Sequence, residues 1–126
     1  MNTYSFENLE VWKKSRELVL CIYRIQAAFP SFEKYCLGDQ LRRAVVSIPS
    51  NFVEGNARYS IKEQIHFVEI ALGSLMEVYC QLTVAYDLNY ITEEQLKLCK
   101  EKIEEVYRLL KGMRYQKLKL LPSSPK

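Results

Sequence analysis

The chain has one histidine, one tryptophan, four glycines, four prolines and four cysteines in 126 residues, and each scarcity excludes a kind of chemistry. His66 stands alone, so no second imidazole is available for a metal site, and no nucleophile can be assigned to it as a base. Glu63, Glu69 and Glu77 share one segment. Their Glu-x-x-His spacing does not recur on a second segment, as a di-metal carboxylate bundle would require. Gly38, Gly55, Gly73 and Gly112 stand singly, so no glycine loop is present to cradle a phosphate. Cys21, Cys36, Cys80 and Cys99 lie 15, 44 and 19 positions apart; without a CxxC pair, buried reduced thiols are the expectation. The N-terminal MNTYSFENLEVWKK has acidic and polar residues where a secretory leader carries a basic and then an apolar block. No uncharged run approaches the roughly 18 residues that span a bilayer. These absences together predict a cytoplasmic protein that is not an enzyme and uses no metal or cofactor.

A hydrophobic share of 48% and a charged share of 26% suit one globular domain with one core. The net charge of +3 is unevenly spread. Residues 1–110 hold 13 Lys and Arg against 15 Asp and Glu, whereas residues 111–126 hold five basic residues and no acidic one. Lys111, Arg114, Lys117 and Lys119 precede LPSSPK, an ending that cannot extend a helix. The sequence therefore predicts a bundle domain over residues 1–113 and a flexible basic tail over 114–126. Such a tail is either a solvated, fraying terminus or an arm with salt-dependent attraction to phosphates.

Helical periodicity dominates, with no strand-like alternation, and four helices are expected. The first runs over residues 8–28, from Asn8 as N-cap, with Leu9, Trp12, Val19, Ile22 and Ile25 inward. The second covers 37–58. The third opens on the capping box Ser60-Ile61-Lys62-Glu63 and lasts to Asp87; the fourth opens on a second box, Thr92-Glu93-Glu94-Gln95. Leu96, Cys99, Ile103, Val106, Leu110 and Met113 line the inner face of the fourth, and the short connection through Leu88–Ile91 makes helices three and four antiparallel neighbours.

In the third segment Ile61, Ile65, Val68, Leu72, Leu75, Tyr79, Leu82 and Tyr86 define one face. Phe67, Ile70, Ala71, Val78, Val84 and Ala85 widen the apolar surface around the helix. A helix apolar on more than one side needs cover on more than one side, either from its own bundle or from a second subunit. Gly73, which costs roughly 0.5–1 kcal/mol against alanine inside a helix, points to close backbone packing there.

The second segment separates into three stripes on a helical wheel. Leu41, Val45, Ile48 and Phe52 form a core stripe; Val46, Pro49, Val53 and Ala57 form a second apolar strip; Arg43, Ser47, Ser50, Glu54 and Arg58 form a polar one. Pro49 removes the donor to the carbonyl of Val45, so a kink with an intrinsic cost of about 3 kcal/mol is expected. Ser47, Ser50 and Asn51 are placed to bind freed backbone groups.

These residues carry a resemblance. Phe6, Leu9 and Val11-Trp12, then Ile22-Tyr23, Phe29-Pro30, Gln40-Leu41-Arg42-Arg43-Ala44, Ser47-Ile48-Pro49, Asn51, Glu54-Gly55, Arg58, Ile70-Ala71, Gly73-Ser74-Leu75 and Glu77 resemble the bacterial four helix bundle protein family. That family includes proteins encoded in intervening sequences of 23S ribosomal RNA genes, and the resemblance spans residues 5–110. It is also similar to the accessory protein of diversity-generating retroelements, a pentameric barrel that binds nucleic acid and a reverse transcriptase. The resemblance implies an all-α, up-and-down antiparallel four-helix bundle, kinked at Pro49, and assembly into a homopentamer. It makes Arg42, Arg43 and Arg58 candidate basic contacts. Where many relatives have an aromatic residue ahead of the IA-GSL motif, this chain has Gln64-Ile65-His66-Phe67.

The function expected is an oligomeric, non-enzymatic scaffold that binds RNA or another nucleic acid. Its candidate contacts are Arg42, Arg43, Arg58, Tyr59, Lys111, Arg114, Lys117 and Lys119; its candidate subunit contacts are Val46, Pro49, Val53, Phe67, Ile70 and Gly73. The alternative is a protein-interaction adaptor whose charge serves solubility.

Overall fold

The structure, a computed structural model, describes residues 4–122. It comprises α1 (Glu10–Gln26), α2 (Leu37–Asn56), α3 (Ile61–Asp87) and α4 (Glu93–Lys119), with 3-10 turns at Ser5–Asn8 and Ser31–Glu33 and no strand among the described residues. Each helix packs on the next in sequence, and α4 closes back onto α1. The result is the four helices that the pattern predicts, packed in the up-and-down bundle that the resemblance implies.

Local signals account for the starts of α3 and α4 and for the turn between them. Ser60 accepts from the amide of Glu63, which caps α3, and Thr92 exchanges both bonds of its box with Gln95 at the start of α4. Asn89, at φ 64°, turns the chain between α3 and α4, a left-handed conformation that asparagine tolerates better than most residues. At that end Tyr90 reaches across to the first connection, where its hydroxyl donates to Glu33 at 2.7 Å and its ring lies 5.4 Å from that of Phe29.

The core stripe of α2, Leu41, Val45, Ile48 and Phe52, is fully enclosed, as are Leu18, Ile22, Leu75, Leu82, Val106 and Leu110. Three expectations require correction. First, α1 begins at Glu10 with Leu9 as N-cap, because Asn8 is taken up by the preceding 3-10 turn. Its buried positions are Val11, Ser15, Leu18, Cys21, Ile22 and Ile25, whereas Leu9 is exposed and Trp12 and Val19 are half-buried. Second, Ala71, Val78 and Ala85 of α3 are buried while Tyr86 stands partly in solvent. The core line on α3 is therefore rotated towards the small side chains that admit α2 and α4. Third, residues 114–119 are not a flexible tail: they continue α4, with Lys117 and Lys119 in its last turn, where cations suit the carbonyl end of a helix. The last residues of that expected tail, 123–126, lie outside the described residues. By length and composition α3 is apolar enough to cross a membrane, with mean hydropathy 1.3; in the bundle 33% of its most apolar window is buried.

Pro49 sits inside α2 and is buried, and the helix continues on both sides of it. Asn51 does bind a neighbouring carbonyl, donating to Ser47 O at 2.8 Å. The Ser47 hydroxyl instead bonds to that of Ser74 on α3, so it links two helices rather than repairing one.

Gly55 is where the α2–α3 corner closes. A Cβ there would lie 2.7 Å from Cβ of Phe67 and 3.5 Å from the carbonyl oxygen of Gln64. Because Phe67 Cβ is fixed to its own helix, relief requires α3 to move. Gly55→Ala is expected to cost about 1–2 kcal/mol, an overpacking penalty of about 1–3 kcal/mol reduced by the helix propensity gained. A urea midpoint equal to or above that of the parent chain would show that the corner has room.

Candidate nucleic-acid interface

The antiparallel course of α3 and α4 brings the start of one beside the end of the other. Gln64, in the first turns of α3, holds this corner together. Its side-chain amide donates to the carbonyl of Arg58 at 2.7 Å, and its oxygen accepts from Nζ of Lys117 at 2.9 Å. Arg114, one turn earlier on α4, pairs with Glu69 of α3 at 3.2 Å. Arg58, Arg114 and Lys117 are thereby gathered at one end of the bundle, although 56 to 59 positions separate the first from the other two.

Their environments differ. Arg58 is pinned by Glu54 at 3.3 Å and lies over the Phe67 ring at 4.9 Å from its centroid. Phe67, a candidate subunit contact, is half-buried and packs within the chain under Arg58 and against Gly55. Lys117 bonds to a neutral amide, and partial burial pushes its pKa down from the ordinary lysine value. That partner carries no charge of its own to neutralise it. Tyr59 is completely exposed, an aromatic ring beside an arginine with no packing role. Lys119 sits 4.3 Å above the Tyr115 ring and Lys111 5.8 Å above that of Tyr107, which places two more cations on the same end of α4.

Arg42 and Arg43 lie near the other end of α2. Arg42 is tied into the fold: it donates to the Gln26 side chain and, at 2.8 Å, to the carbonyl of Lys34, with Asp39 at 3.7 Å. It locks α2 to the end of α1 and is spent on that. Arg43 is open to solvent but paired with Asp39 at 3.0 Å. The eight candidate positions therefore do not form one patch. Six belong to the α2–α3 corner and α4, and two lie near the start of α2.

The apolar candidates divide similarly. Val46, Pro49 and Val53 line a groove between α1 and α2, closed from the α1 side by Trp12, Val19 and Leu20. Ile70 and Gly73 lie on the outward side of α3, where a Cβ on Gly73 would meet nothing within 4 Å. Among the described residues, no backbone from another element packs against Gly73. Sequence reasoning missed the α1 half of the groove, although Trp12, Arg16, Val19, Leu20 and Tyr23 recur at helical spacing and signal a second stripe. It also missed Gln64, whose role depends on partners 6 and 53 positions away.

Comparison with known proteins adds a family. Residues 7–112 match the model of the 23S rRNA-intervening sequence protein. Among solved structures, a protein of unknown function from the S23 ribosomal protein family of Bacteroides thetaiotaomicron is similar at TM-score 0.77 and 25% identity, over 83% of this chain and 95% of that one. No curated protein matches.

Proposed function

This chain belongs to the 23S rRNA-intervening sequence protein family, and on that footing we propose that it is a non-enzymatic, cytoplasmic, oligomeric scaffold that binds RNA through the α2–α3 corner. The observation that carries this reading is the fully exposed Tyr59 at a corner where Arg58, Arg114 and Lys117 converge. A bare aromatic beside cations offers a base a stacking surface and its phosphates a counter-charge.

Self-association through Val46, Pro49 and Val53 on one side and Ile70 and Gly73 on another supports multivalency. Two unlike apolar surfaces on different faces of one subunit favour a head-to-tail contact, which closes into a ring when the rotation permits. A pentamer is one such ring, and repeated weak corners would then act together. Purification without nuclease, followed by solution mass and ultraviolet absorbance ratio in low and high salt, tests both parts. A ring carrying RNA that salt removes is the expected result; a clean monomer would overturn the assembly. Val53→Glu is expected to reduce the mass to that of the single chain. Gly73→Ala is expected to raise single-chain stability by about 0.5–1 kcal/mol while weakening assembly, and equal assembly by this variant would show that nothing packs there.

A protein-interaction adaptor is the second reading. It is favoured by the pairing of Arg43, Arg58 and Arg114 with Asp39, Glu54 and Glu69, which leaves less charge for phosphates. A partner that stays bound after nuclease treatment, on a chain with no affinity for RNA, would select it.

A further inference from the structure

Two of the four cysteines meet inside the bundle. Cys21 on α1 and Cys99 on α4, 78 positions apart, place their sulfur atoms 3.8 Å from one another. Both thiols are buried, Cys99 completely and Cys21 at 8% exposure. The separation is contact distance between unbonded sulfurs, and a bond of about 2 Å requires them to approach further. Cys36 and Cys80, by contrast, are exposed.

The pair is asymmetric in access. Cys21 lines a groove between α1 and α4 that Leu20, Arg24, Leu98 and Lys102 also border, whereas Cys99 lies behind it at 0% exposure. The groove, about 420 Å³, admits a small molecule to the first sulfur and not directly to the second. Electrostatics runs the same way. The Cys21 thiol is held below its ordinary pKa by its hydrogen bond with Cys99, against the effect of burial and with help from Lys102 and Arg24. The Cys99 thiol is pushed up, first by its bond to Cys21 and then by burial. The sulfur that the groove reaches is thus also the one that Lys102 and Arg24 dispose to react as a thiolate.

We propose that Cys21 and Cys99 are a peroxide-responsive pair, in which a peroxide entering the α1/α4 groove reacts at Cys21 and Cys99 then closes a disulfide that staples α1 to α4. In the first step the Cys21 thiolate attacks one oxygen of hydrogen peroxide, the O–O bond breaks, and Cys21 sulfenic acid and hydroxide form. In the second, the Cys99 sulfur attacks the Cys21 sulfur and displaces its hydroxyl; with the Cys99 proton this leaves as water, and the S–S bond forms. Two electrons pass from the two sulfurs to the peroxide, whose oxygens end as two waters once the hydroxide takes up the proton first lost by Cys21. Nothing in this device depends on RNA binding.

The test uses the full chain carrying Cys36→Ser and Cys80→Ser, so that only the buried pair can react. Hydrogen peroxide is expected to lower its intact mass by two hydrogens, to produce a peptide joining Cys21 to Cys99, and to raise its melting temperature by about 5 °C or more, all reversed by a dithiol. In the same background Cys99→Ala is expected to stop at the sulfenic acid and label at Cys21 with dimedone. Cys21→Ala is expected to leave Cys99 on the order of tenfold or more less reactive. Recovery of both thiols in reduced form from the folded chain, under a dose that oxidises a free cysteine peptide, would overturn the proposal. Dimedone labelling of Cys99 in preference to Cys21 would overturn the order of steps.

Discussion

Replacing Arg58, Arg114 and Lys117 together by glutamine is expected to weaken binding to a single-stranded RNA about 100-fold in 0.1 M salt. The size follows from counterion release, since each phosphate contact to a single strand contributes a slope of about 0.7 in log affinity against log salt concentration. Three lost contacts remove a slope of about 2, and between 1 M and 0.1 M salt that amounts to about two decades. Tyr59→Ala is expected to behave differently. Loss of one stacked base costs about 1–3 kcal/mol and leaves the salt slope unchanged. Fluorescence anisotropy on labelled RNA across a salt series separates the two effects. If the triple variant keeps the parent's slope, the corner makes no phosphate contacts. Arg42→Gln provides a contrast, because its bonds to Gln26 and Lys34 predict a loss of stability with little change in slope.

Phe52→Ala is expected to remove about 3–5 kcal/mol of folding stability. Its ring is 2% exposed within the continuous apolar cluster of the four helices, and little can collapse into the space it leaves. Against the 5–15 kcal/mol typical of a whole domain, this takes the chain close to unfolding. Chemical denaturation, monitored by helical circular dichroism, should show a lower midpoint at unchanged slope. A loss below about 1 kcal/mol would mean that Phe52 is not central. The division of α2 into an inner stripe and an outer Val46–Pro49–Val53 strip would then have to be redrawn. Val53→Ala, on that outer strip, is expected to cost the single chain much less.

The helices were legible because their signals are local. Ser60 and Thr92 cap helices through partners three residues away, and the inner faces of α2 and α4 repeat every three or four positions. Harder to read were segments with more than one apolar stripe. On α1, Trp12 and Val19 compete with Val11, Leu18 and Ile22, and periodicity alone does not say which stripe meets the core. At the end of α4 the run of cations suggested a tail; the helix continues, and Lys117, at the next inward position after Leu110 and Met113, finds Gln64, 53 positions earlier.

By itself, then, the sequence determined four helices, their order, the caps of α3 and α4 and the core line of α2, all of which rest on contacts within a few residues of each other. The rotation of each helix about its axis was decided only when the four packed together. That rotation buried Ala71, Val78 and Ala85 and turned Trp12 towards the α1/α2 groove. It spent Arg42 on the end of α1, slid Phe67 beneath Arg58 and brought Cys21 against Cys99. The same packing set Arg58, Arg114 and Lys117 around one corner, because a residue's hydrophobicity and spacing specify that a face must be covered, while the partner that covers it is chosen by how all the helices fit at once.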